Sequence, residues 1–395
     1  MGTSRLLAEY GGLQSLLEPL NVAALISPND PEVRYSRAVV LSGNGNVGES
    51  LAEYERAVSL RPSDYVLWQE LGRTRDGAGD LQGALEALSK AVSLAPYYAQ
   101  PRWQIGNVLL RSNRREEAFD QLRQAAKSNP NFIAPLSDLA WGAYSGDAQA
   151  IEAAVQPQSY RERMVLARYF AKRGMATQAV ALYRAAGNVA GTTVDTGDED
   201  RLALLKELID TRKYRDAYQV WAAGSKADAE GDVVNNASFE ETVLTGDTGF
   251  GWRFTRASQA LVVSVDLSRP FDRSRSLRID FSGDSLPSQA IVSQLILVSP
   301  GARYKLSFAA RTEEITTGGL PYLAVGDVKN DGRTLLARSK DLPQGASDWR
   351  EYGVEFQSPV DAEAVLILLR RQECNTAPCP AFGRVWLDKF TIQKL

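Results

Sequence analysis

Few side chains in this sequence could do chemistry, because its 395 residues include no histidine. Histidine is the usual acid–base group near neutral pH, and its absence excludes serine–histidine–aspartate, cysteine–histidine and histidine–zinc sites. Carboxylates remain, and adjacent ones occur at Glu240 with Glu241 and at Glu313 with Glu314. Neighbours on a strand point to opposite faces, so neither pair can flank one glycosidic bond. With no Walker loop, dinucleotide fingerprint or Gly-x-Ser-x-Gly elbow, the sequence predicts a non-catalytic protein.

The two cysteines, Cys374 and Cys379, lie in one short loop that also contains two prolines. This spacing favours a disulfide over an idle pair of thiols, and a disulfide implies an oxidising compartment. We therefore expect an extracytoplasmic protein of the periplasm, the cell surface or the secreted space. Two reduced thiols in the cytoplasm are the alternative.

The bulk composition is that of a folded protein with two or three domains. Hydrophobic residues make up 44% and charged residues 24%, and the net charge is −3. No basic surplus exists to neutralise a nucleic acid or an anionic membrane. No apolar run is long enough to span a bilayer, and the first residues lack the apolar core of a signal peptide. These two features taken alone are expected either of a cytoplasmic protein or of a mature or trimmed form.

A proline recurs at intervals of 34 residues, at Pro28, Pro62, Pro96 and Pro130. Small and apolar residues recur in step between these prolines: Ala38, Leu41, Tyr54 and Ala57; Trp68, Leu71, Gly72, Ala84, Leu88 and Ala91; Ile105, Gly106, Ala118, Leu122 and Ala125. Glycine and alanine let neighbouring helices approach closely, and the larger residues fill the seam between them. Each proline ends one helix and starts the next unit. The period predicts helical hairpins.

This pattern resembles the tetratricopeptide family over about residues 1–225. Weaker registers continue the repeat over residues 160–191 and 200–224, and residues 4–26 and 133–155 read as more divergent helix pairs. We expect roughly five or six hairpins in all. The resemblance implies a right-handed superhelix whose concave groove holds an extended peptide or a protein partner.

The resemblance also implies which side chains line that groove, since fixed positions of the first helix of each hairpin face it. At 34-residue steps these positions carry Tyr35, Gln69 and Trp103, then Val39, Arg73 and Asn107. Asn107 is similar to the asparagines that grip peptide backbones in this family, but the lysines of a carboxylate-gripping groove are absent from the set. The alternative is a solvated helix surface, with Trp103 packed as Trp68 packs.

Beyond a short polar linker at residues 226–232, the hydrophobic period changes to two. Apolar residues alternate with polar ones in Leu277-Ile279-Phe281, Tyr304-Leu306-Phe308, Tyr352-Val354-Phe356 and Val365-Ile367-Leu369. Turns such as Ser299-Pro300-Gly301 separate these runs. About nine or ten short strands over residues 233–395 predict an antiparallel sandwich.

Several phrases of this half resemble the CenC-type carbohydrate-binding modules, which are jelly rolls with a galactose-binding-like fold. They are Asn236 to Glu240 followed by Gly251-Trp252, Ser276 to Ile279, Val298 to Tyr304, Trp349 to Phe356, and Val385 to Asp388. The resemblance covers residues 232–395. Related sandwiches also serve as adhesion or packing modules.

The resemblance implies two kinds of site. A structural calcium is shared by the first and last strands in that superfamily, and the matching positions are Glu240 and Asp388. The alternative is that each carboxylate faces water or a nearby lysine. Sugar binding there uses aromatic rings that stack on pyranose faces. The candidates are Trp252, Tyr322 and Trp349, with Tyr352 and Trp386 behind them, and each has burial in the core as its alternative.

The sequence thus predicts a multidomain α + β protein, an N-terminal α-solenoid of tetratricopeptide hairpins followed by an antiparallel jelly roll. The leading hypothesis is a non-catalytic scaffold of the bacterial envelope or secreted space, whose solenoid binds a protein and whose sandwich binds polysaccharide. Exopolysaccharide synthesis, export or surface attachment would be its setting. One alternative is a structural, self-assembling protein whose sandwich packs on the solenoid or on a neighbouring subunit. A cytoplasmic adaptor is the other.

Overall fold

The computed structural model describes residues 2–187, 194–224, 233–243 and 249–395. The chain divides into two compact units, residues 1–166 and residues 167–395. The predicted linker at residues 226–232 lies outside the described residues. Helices followed by two antiparallel sheets confirm the predicted fold class.

The first unit consists of helices joined by short turns. They are α1 (Gly2–Gln14), α2 (Leu17–Ile26), α3 (Pro31–Gly43), α4 (Val47–Leu60), α5 (Tyr65–Gly77), α6 (Leu81–Leu94), α7 (Ala99–Arg111), α8 (Arg115–Ser128), α9 (Ile133–Ala143), α10 (Ala148–Val155) and the start of α11 (Tyr160–Lys172). Each odd-numbered helix from α1 to α9 packs on the even-numbered helix that follows it.

Polar caps and glycine turns set the ends of these helices. The Asp64 side chain accepts a hydrogen bond from the Val66 N–H at 3.0 Å and so begins α5, and Asp30 does the same for α3. Such caps satisfy N–H groups that have no partner inside the helix. Gly45 and Gly79 follow α3 and α5 with φ of 81° and 84°, a conformation that glycine adopts without strain.

In each central hairpin, the two helices make a very close contact at a glycine of the first helix. A Cβ atom built on Gly72 would lie 2.6 Å from Cγ of Leu88, and one on Gly106 would lie 2.5 Å from Cγ of Leu122. Both leucines are completely buried. The two helices therefore approach more closely than any larger residue would allow.

The second unit begins with the rest of α11 and continues through three further helices and ten strands. They are α12 (Ala176–Gly187), α13 (Val194–Asp210), α14 (Tyr214–Ala222), β1 (Arg253–Phe254), β2 (Leu261–Asp266), β3 (Ser276–Asp284), β4 (Val292–Leu297), β5 (Arg303–Thr317), β6 (Pro321–Asp327), β7 (Leu335–Arg338), β8 (Gly345–Gln357), β9 (Ala364–Arg371) and β10 (Pro380–Lys394). Among the fourteen helices of the described residues, six consecutive pairs pack on each other, the five pairs of the first unit and α13 with α14, which agrees with the five or six hairpins expected.

The strands form two five-stranded sheets, both antiparallel. Sheet A has the order β1-β4-β9-β6-β7, and sheet B has the order β2-β3-β10-β5-β8. Alternate residues of each strand, such as Ile367 on β9 and Leu387 on β10, fill the space between the sheets. The other residues face outward, as expected for a sandwich.

Helix α14 packs on the sandwich within the second unit. Arg215 Nη2 donates to the Val298 carbonyl at 3.0 Å, and the Tyr218 hydroxyl donates to Asn235 Oδ1 at 3.2 Å. The Tyr218 ring also meets the Phe250 ring edge-on, with centroids 5.0 Å apart. Helices that the sequence analysis assigns to the solenoid therefore share a compact unit with the sandwich.

The outward side of sheet A explains why a helix lies there. Four of its apolar side chains are at most 3% exposed although they lie outside the core between the sheets: Leu295, Leu297, Ala324 and Leu368. Tyr214 of α14 and Leu366 of β9 line one small cavity of about 230 Å³ between helix and sheet. An apolar face on both sides of a sheet requires a third layer to cover it.

We predict that Gly106→Ala destabilises the protein by about 1–3 kcal/mol, because the new Cβ collides with Leu122 in a packed seam. Gly48→Ala is the matched control, since a Cβ there meets nothing within 4 Å. Alanine is the better helix former, so the control is expected to be neutral or stabilising. Urea unfolding followed by circular dichroism measures both variants. Equal effects of the two substitutions would contradict the close-packed seam.

Candidate functional site

The residues expected to line the groove lie on three successive first helices, one repeat apart. We call Tyr35, Gln69, Arg73, Trp103 and Asn107 the A-helix stripe. All are half-buried except Arg73, which is exposed. The described structure thus offers aromatic, amide and guanidinium groups at two repeated positions of these helices.

On α3 and α5, the residues of the stripe contact side chains that the sequence does not mark as part of a site. The Tyr35 ring contacts the Tyr54 ring edge-on, with centroids 6.2 Å apart. Burial raises the pKa of both phenols. Arg73 pairs with Glu70 at 2.6 Å, so this pair adds no net charge to the surface. The spacing of three residues between Glu70 and Arg73 was the sequence signal for the pair.

On α7, Trp103 and Asn107 are held by contacts within the helix and with a residue that follows α8. The Trp103 ring stacks on Phe132, with centroids 4.6 Å apart. Asn107 Nδ2 donates to the Trp103 carbonyl at 2.9 Å, one turn back along the helix. This bond uses one amide hydrogen of Asn107. The second amide hydrogen and the amide oxygen of Asn107 make no hydrogen bond among the described residues.

Two of the three candidate sugar-binding rings are covered. Trp252 is 3% exposed, its ring packs 4.8 Å from that of Phe390, and its Nε1 donates to the Asn236 carbonyl. Tyr322 is 8% exposed and lies under the Arg338 guanidinium, 4.4 Å from the ring centroid. Neither ring presents an open face to a sugar. The expectation that they do is corrected by this packing.

Trp349 is the candidate ring that stays partly open. It lies on β8, is half-buried, and packs against Phe271 with ring centroids 5.4 Å apart. Phe271 is 38% exposed, and the Lys389 ammonium lies 5.3 Å from its ring centroid. These two rings with their charged neighbour form a small open patch, which we call the Trp349 patch.

The remaining aromatic candidates are core or covered residues. The Tyr352 ring stacks on Phe308, 5.4 Å away between centroids. Trp386 is 1% exposed and donates its Nε1 hydrogen to Asp266 Oδ2 at 2.7 Å. The packing of both rings agrees with the alternative of core burial that the sequence offered for each.

The two carboxylates expected to hold calcium instead hold a loop. Asp388 Oδ2 accepts the N–H groups of Phe271 and Asp272, at 2.8 and 2.9 Å. Glu240 Oε1 accepts the N–H groups of Ser274 and Arg275, each at 2.9 Å. Burial raises the pKa of Asp388, whereas the hydrogen bond from the Ser274 hydroxyl lowers the pKa of Glu240.

Asp388 and Glu240 already accept hydrogen bonds from backbone N–H groups, an arrangement that suits those groups rather than a cation. Calcium prefers six to eight oxygen ligands, and no group of three or more acidic, cysteine or histidine side chains suited to a metal occurs among the described residues. Calcium binding stays a prediction that this geometry does not support. Sequence reasoning missed the role of the loop because the loop lies far along the chain from both carboxylates.

A disulfide joins Cys374 and Cys379, whose Cα atoms are 5.5 Å apart. Its loop is held by Arg371, which is 1% exposed and donates to the Cys379 carbonyl at 2.6 Å and to the Thr317 hydroxyl at 3.0 Å. Burial lowers the pKa of the Arg371 guanidinium. The oxygens around it offset the cost of burying this charge. In the sequence, Arg371 is marked only by its place at the end of an apolar strand.

No family model matches the chain. The peroxisomal targeting signal receptor of Candida albicans is 28% identical over 104 residues, which are 25% of this chain and 18% of the receptor. DnaJ homolog subfamily C member 3 of Mus musculus is 28% identical over 87 residues, which are 22% of this chain and 17% of that protein. The chain therefore spans less than a fifth of the length of these two curated relatives.

Solved structures resemble parts of this chain. MamA from Desulfovibrio magneticus RS-1 gives a TM-score of 0.35 at 20% identity, covering 38% of this chain and 92% of that one. A structure described as "CBM4 structure and function" gives 0.31 at 18% identity, covering 41% of this chain and 99% of that one. Likeness at this level carries no functional argument. Together, the repeat, the helical hairpins and the similarity to these relatives show that the helical part of this chain is a tetratricopeptide-like solenoid.

Proposed function

We propose that this chain is a non-catalytic scaffold that binds a protein partner along the A-helix stripe and a polysaccharide through its sandwich, outside the cytoplasm. The observation that carries the proposal is the stripe itself. It repeats partly exposed aromatic and hydrogen-bonding side chains at two positions of α3, α5 and α7. A receptor for a targeting signal is among the relatives of the helical part, which supports a peptide-like ligand for this surface.

The chemistry of the stripe suits a protein segment. Tyr35 and Trp103 supply rigid apolar area, which carries much of the binding energy in protein interfaces. Gln69 and Asn107 supply amides, which can pair with a peptide backbone. Arg73 is already paired with Glu70, so the stripe does not select strongly for charge.

We predict that Gln69→Ala combined with Asn107→Ala lowers the recovery of the partner by about tenfold, because central interface residues dominate affinity. The measurement is quantitative mass spectrometry of proteins that co-purify with the full chain from its natural host. Lys90→Ala, at an exposed position of α6, is the control and is expected to change nothing. Unchanged recovery with the stripe variant would remove the stripe as the binding surface.

The polysaccharide proposal rests on the Trp349 patch. Aromatic faces stack on pyranose rings, and charged groups such as Lys389 can reach hydroxyl or carboxyl groups. On sheet A, α14 packs against the outward side near β4 and β9 and leaves less of that side open. The patch on sheet B is therefore the better candidate for the sugar.

We predict that the full chain binds a soluble surface polysaccharide in isothermal titration calorimetry and that Trp349→Ala abolishes this binding, because the variant removes the stacking ring. Tyr97→Ala is the control. Tyr97 is 88% exposed but lies in the solenoid, so its loss should leave sugar binding intact. The absence of binding to any surface polysaccharide tested would defeat the polysaccharide part and leave the protein-interaction part standing.

The disulfide supports the extracytoplasmic part of the proposal, because such bonds persist in oxidising compartments. We predict that protein isolated from its natural compartment without reductant has no titratable thiol until it is reduced. Thiol titration under native and denaturing conditions measures this. Two free thiols in both conditions would favour the cytoplasmic adaptor instead.

A further inference from the structure

A cleft of about 730 Å³ lies between α6, α7 and α8. The A-helix stripe and this cleft use opposite sides of α7. Successive residues of a helix are about 100° apart, so Ile105 and Leu109, which line the cleft, point away from Trp103 and Asn107. The cleft is thus a second surface of the solenoid, separate from the proposed groove. Its volume is in the range of about 300–1,000 Å³ that binding pockets occupy.

The cleft has an apolar floor and an acidic rim. Leu85, Val92, Ile105 and Leu109 supply the apolar floor. Four carboxylates and two guanidiniums surround it: Glu86, Glu116, Glu117, Asp120, Arg102 and Arg114. Arg114 pairs with Glu117 at 2.6 Å and so cancels that charge. Asp120 also lies 3.6 Å from Arg123. The lining as a whole keeps a negative surplus.

The preceding repeat carries different side chains at the corresponding positions. One period of 34 residues earlier, Trp68 takes the position of Arg102, and the ion-paired Arg75 takes the position of Leu109. The Trp68 indole packs against the core cluster of its own repeat. It also donates its Nε1 hydrogen to the Pro62 carbonyl at 2.9 Å.

The ion pair of the preceding repeat is lost as well. Arg75 donates to Glu55 at 2.9 Å and to the Gly83 carbonyl at 3.2 Å, and so bridges α5 to both of its neighbours. In the next repeat the same two positions carry Leu109 and Ser89, which cannot form that bridge. At the same step Ala52 is replaced by Glu86, which adds charge to the rim. The cleft is therefore open and acidic because of substitutions within the repeat.

We propose that this cleft binds a short basic segment of a protein partner, with an apolar side chain on the floor and lysine or arginine beside Glu86 and Glu116. Charge complementarity selects a basic occupant, since an acidic one would face the carboxylate surplus. The inference deepens the proposed protein-interaction function and rests on it, but it does not depend on the stripe.

The test uses the full chain and a short fluorescent peptide built of leucine and lysine, with a twin that carries glutamate in place of lysine. Fluorescence anisotropy measures both affinities at low and high salt. The lysine peptide should bind, more weakly as salt screens the rim, and the glutamate twin should not. Failure of the lysine peptide to bind, or equal binding of the twin, overturns the proposal.

Two cleft variants locate the binding. Ser89→Glu with Leu109→Arg imports the bridge of the preceding repeat and should weaken the lysine peptide about tenfold by filling the pocket. Glu86→Gln with Glu116→Gln keeps the shape, should weaken binding and should flatten its salt dependence. The second variant changes only surface charge, so the test does not depend on whether the first one folds. Circular dichroism verifies folding of both.

Two control variants separate the alternatives. Glu9→Gln with Glu18→Gln removes the same number of exposed charges from α1 and α2 and should leave affinity unchanged. Gln69→Ala with Asn107→Ala should also leave it unchanged. If a control weakens the peptide as much as the cleft variants do, or if neither cleft variant weakens it, the cleft is not the site. Failure of the stripe in host cells would leave this result unaffected.

Discussion

Each central hairpin of the solenoid depends on one close contact, in which a glycine of the first helix receives a leucine of the second. Gly72 meets Leu88 and Gly106 meets Leu122 at distances that leave no room for a Cβ. This contact fixes the rotation of α5 and α7 about their axes. The same rotation determines which residues form the A-helix stripe on one side and which line the acidic cleft on the other. Both surfaces follow from the same seam.

The second unit is governed by the need to cover sheet A on both sides. Sheet B covers one side, and α14 packs against the other through Arg215 and Tyr218. One alternative from the sequence was a structural protein whose sandwich packs on the solenoid or on a neighbouring subunit. The contacts of α14 with the sandwich agree with packing on helices of the same chain. Because α14 covers part of the outward side of sheet A, the Trp349 patch is the place where we propose that carbohydrate binds.

The fold was predictable because its signals repeat along the chain. The 34-residue recurrence of Gly72 and Gly106 and the alternation around Ile367 each report a local geometry. The site was less predictable, because exposure depends on what lies above a side chain. The resemblance singled out Trp252 as a candidate ring but did not show that Phe390 covers it. Similarly, Asp388 and the loop it holds are distant in sequence. The cleft escaped notice because it arises from differences between repeats, such as Trp68 and Arg102, rather than from their likeness.

The proposed scaffold requires surfaces on the helical repeat that bind protein. Photo-cross-linking in the natural host detects such contacts at single residues, with p-benzoylphenylalanine placed at Gln69 on the stripe, at Ser89 in the cleft and at Glu9 on α1. Discrete protein adducts, each of a defined mass, are expected from the first two positions and none from Glu9. The absence of adducts from both Gln69 and Ser89, or the same adducts from all three positions, would contradict the proposed scaffold.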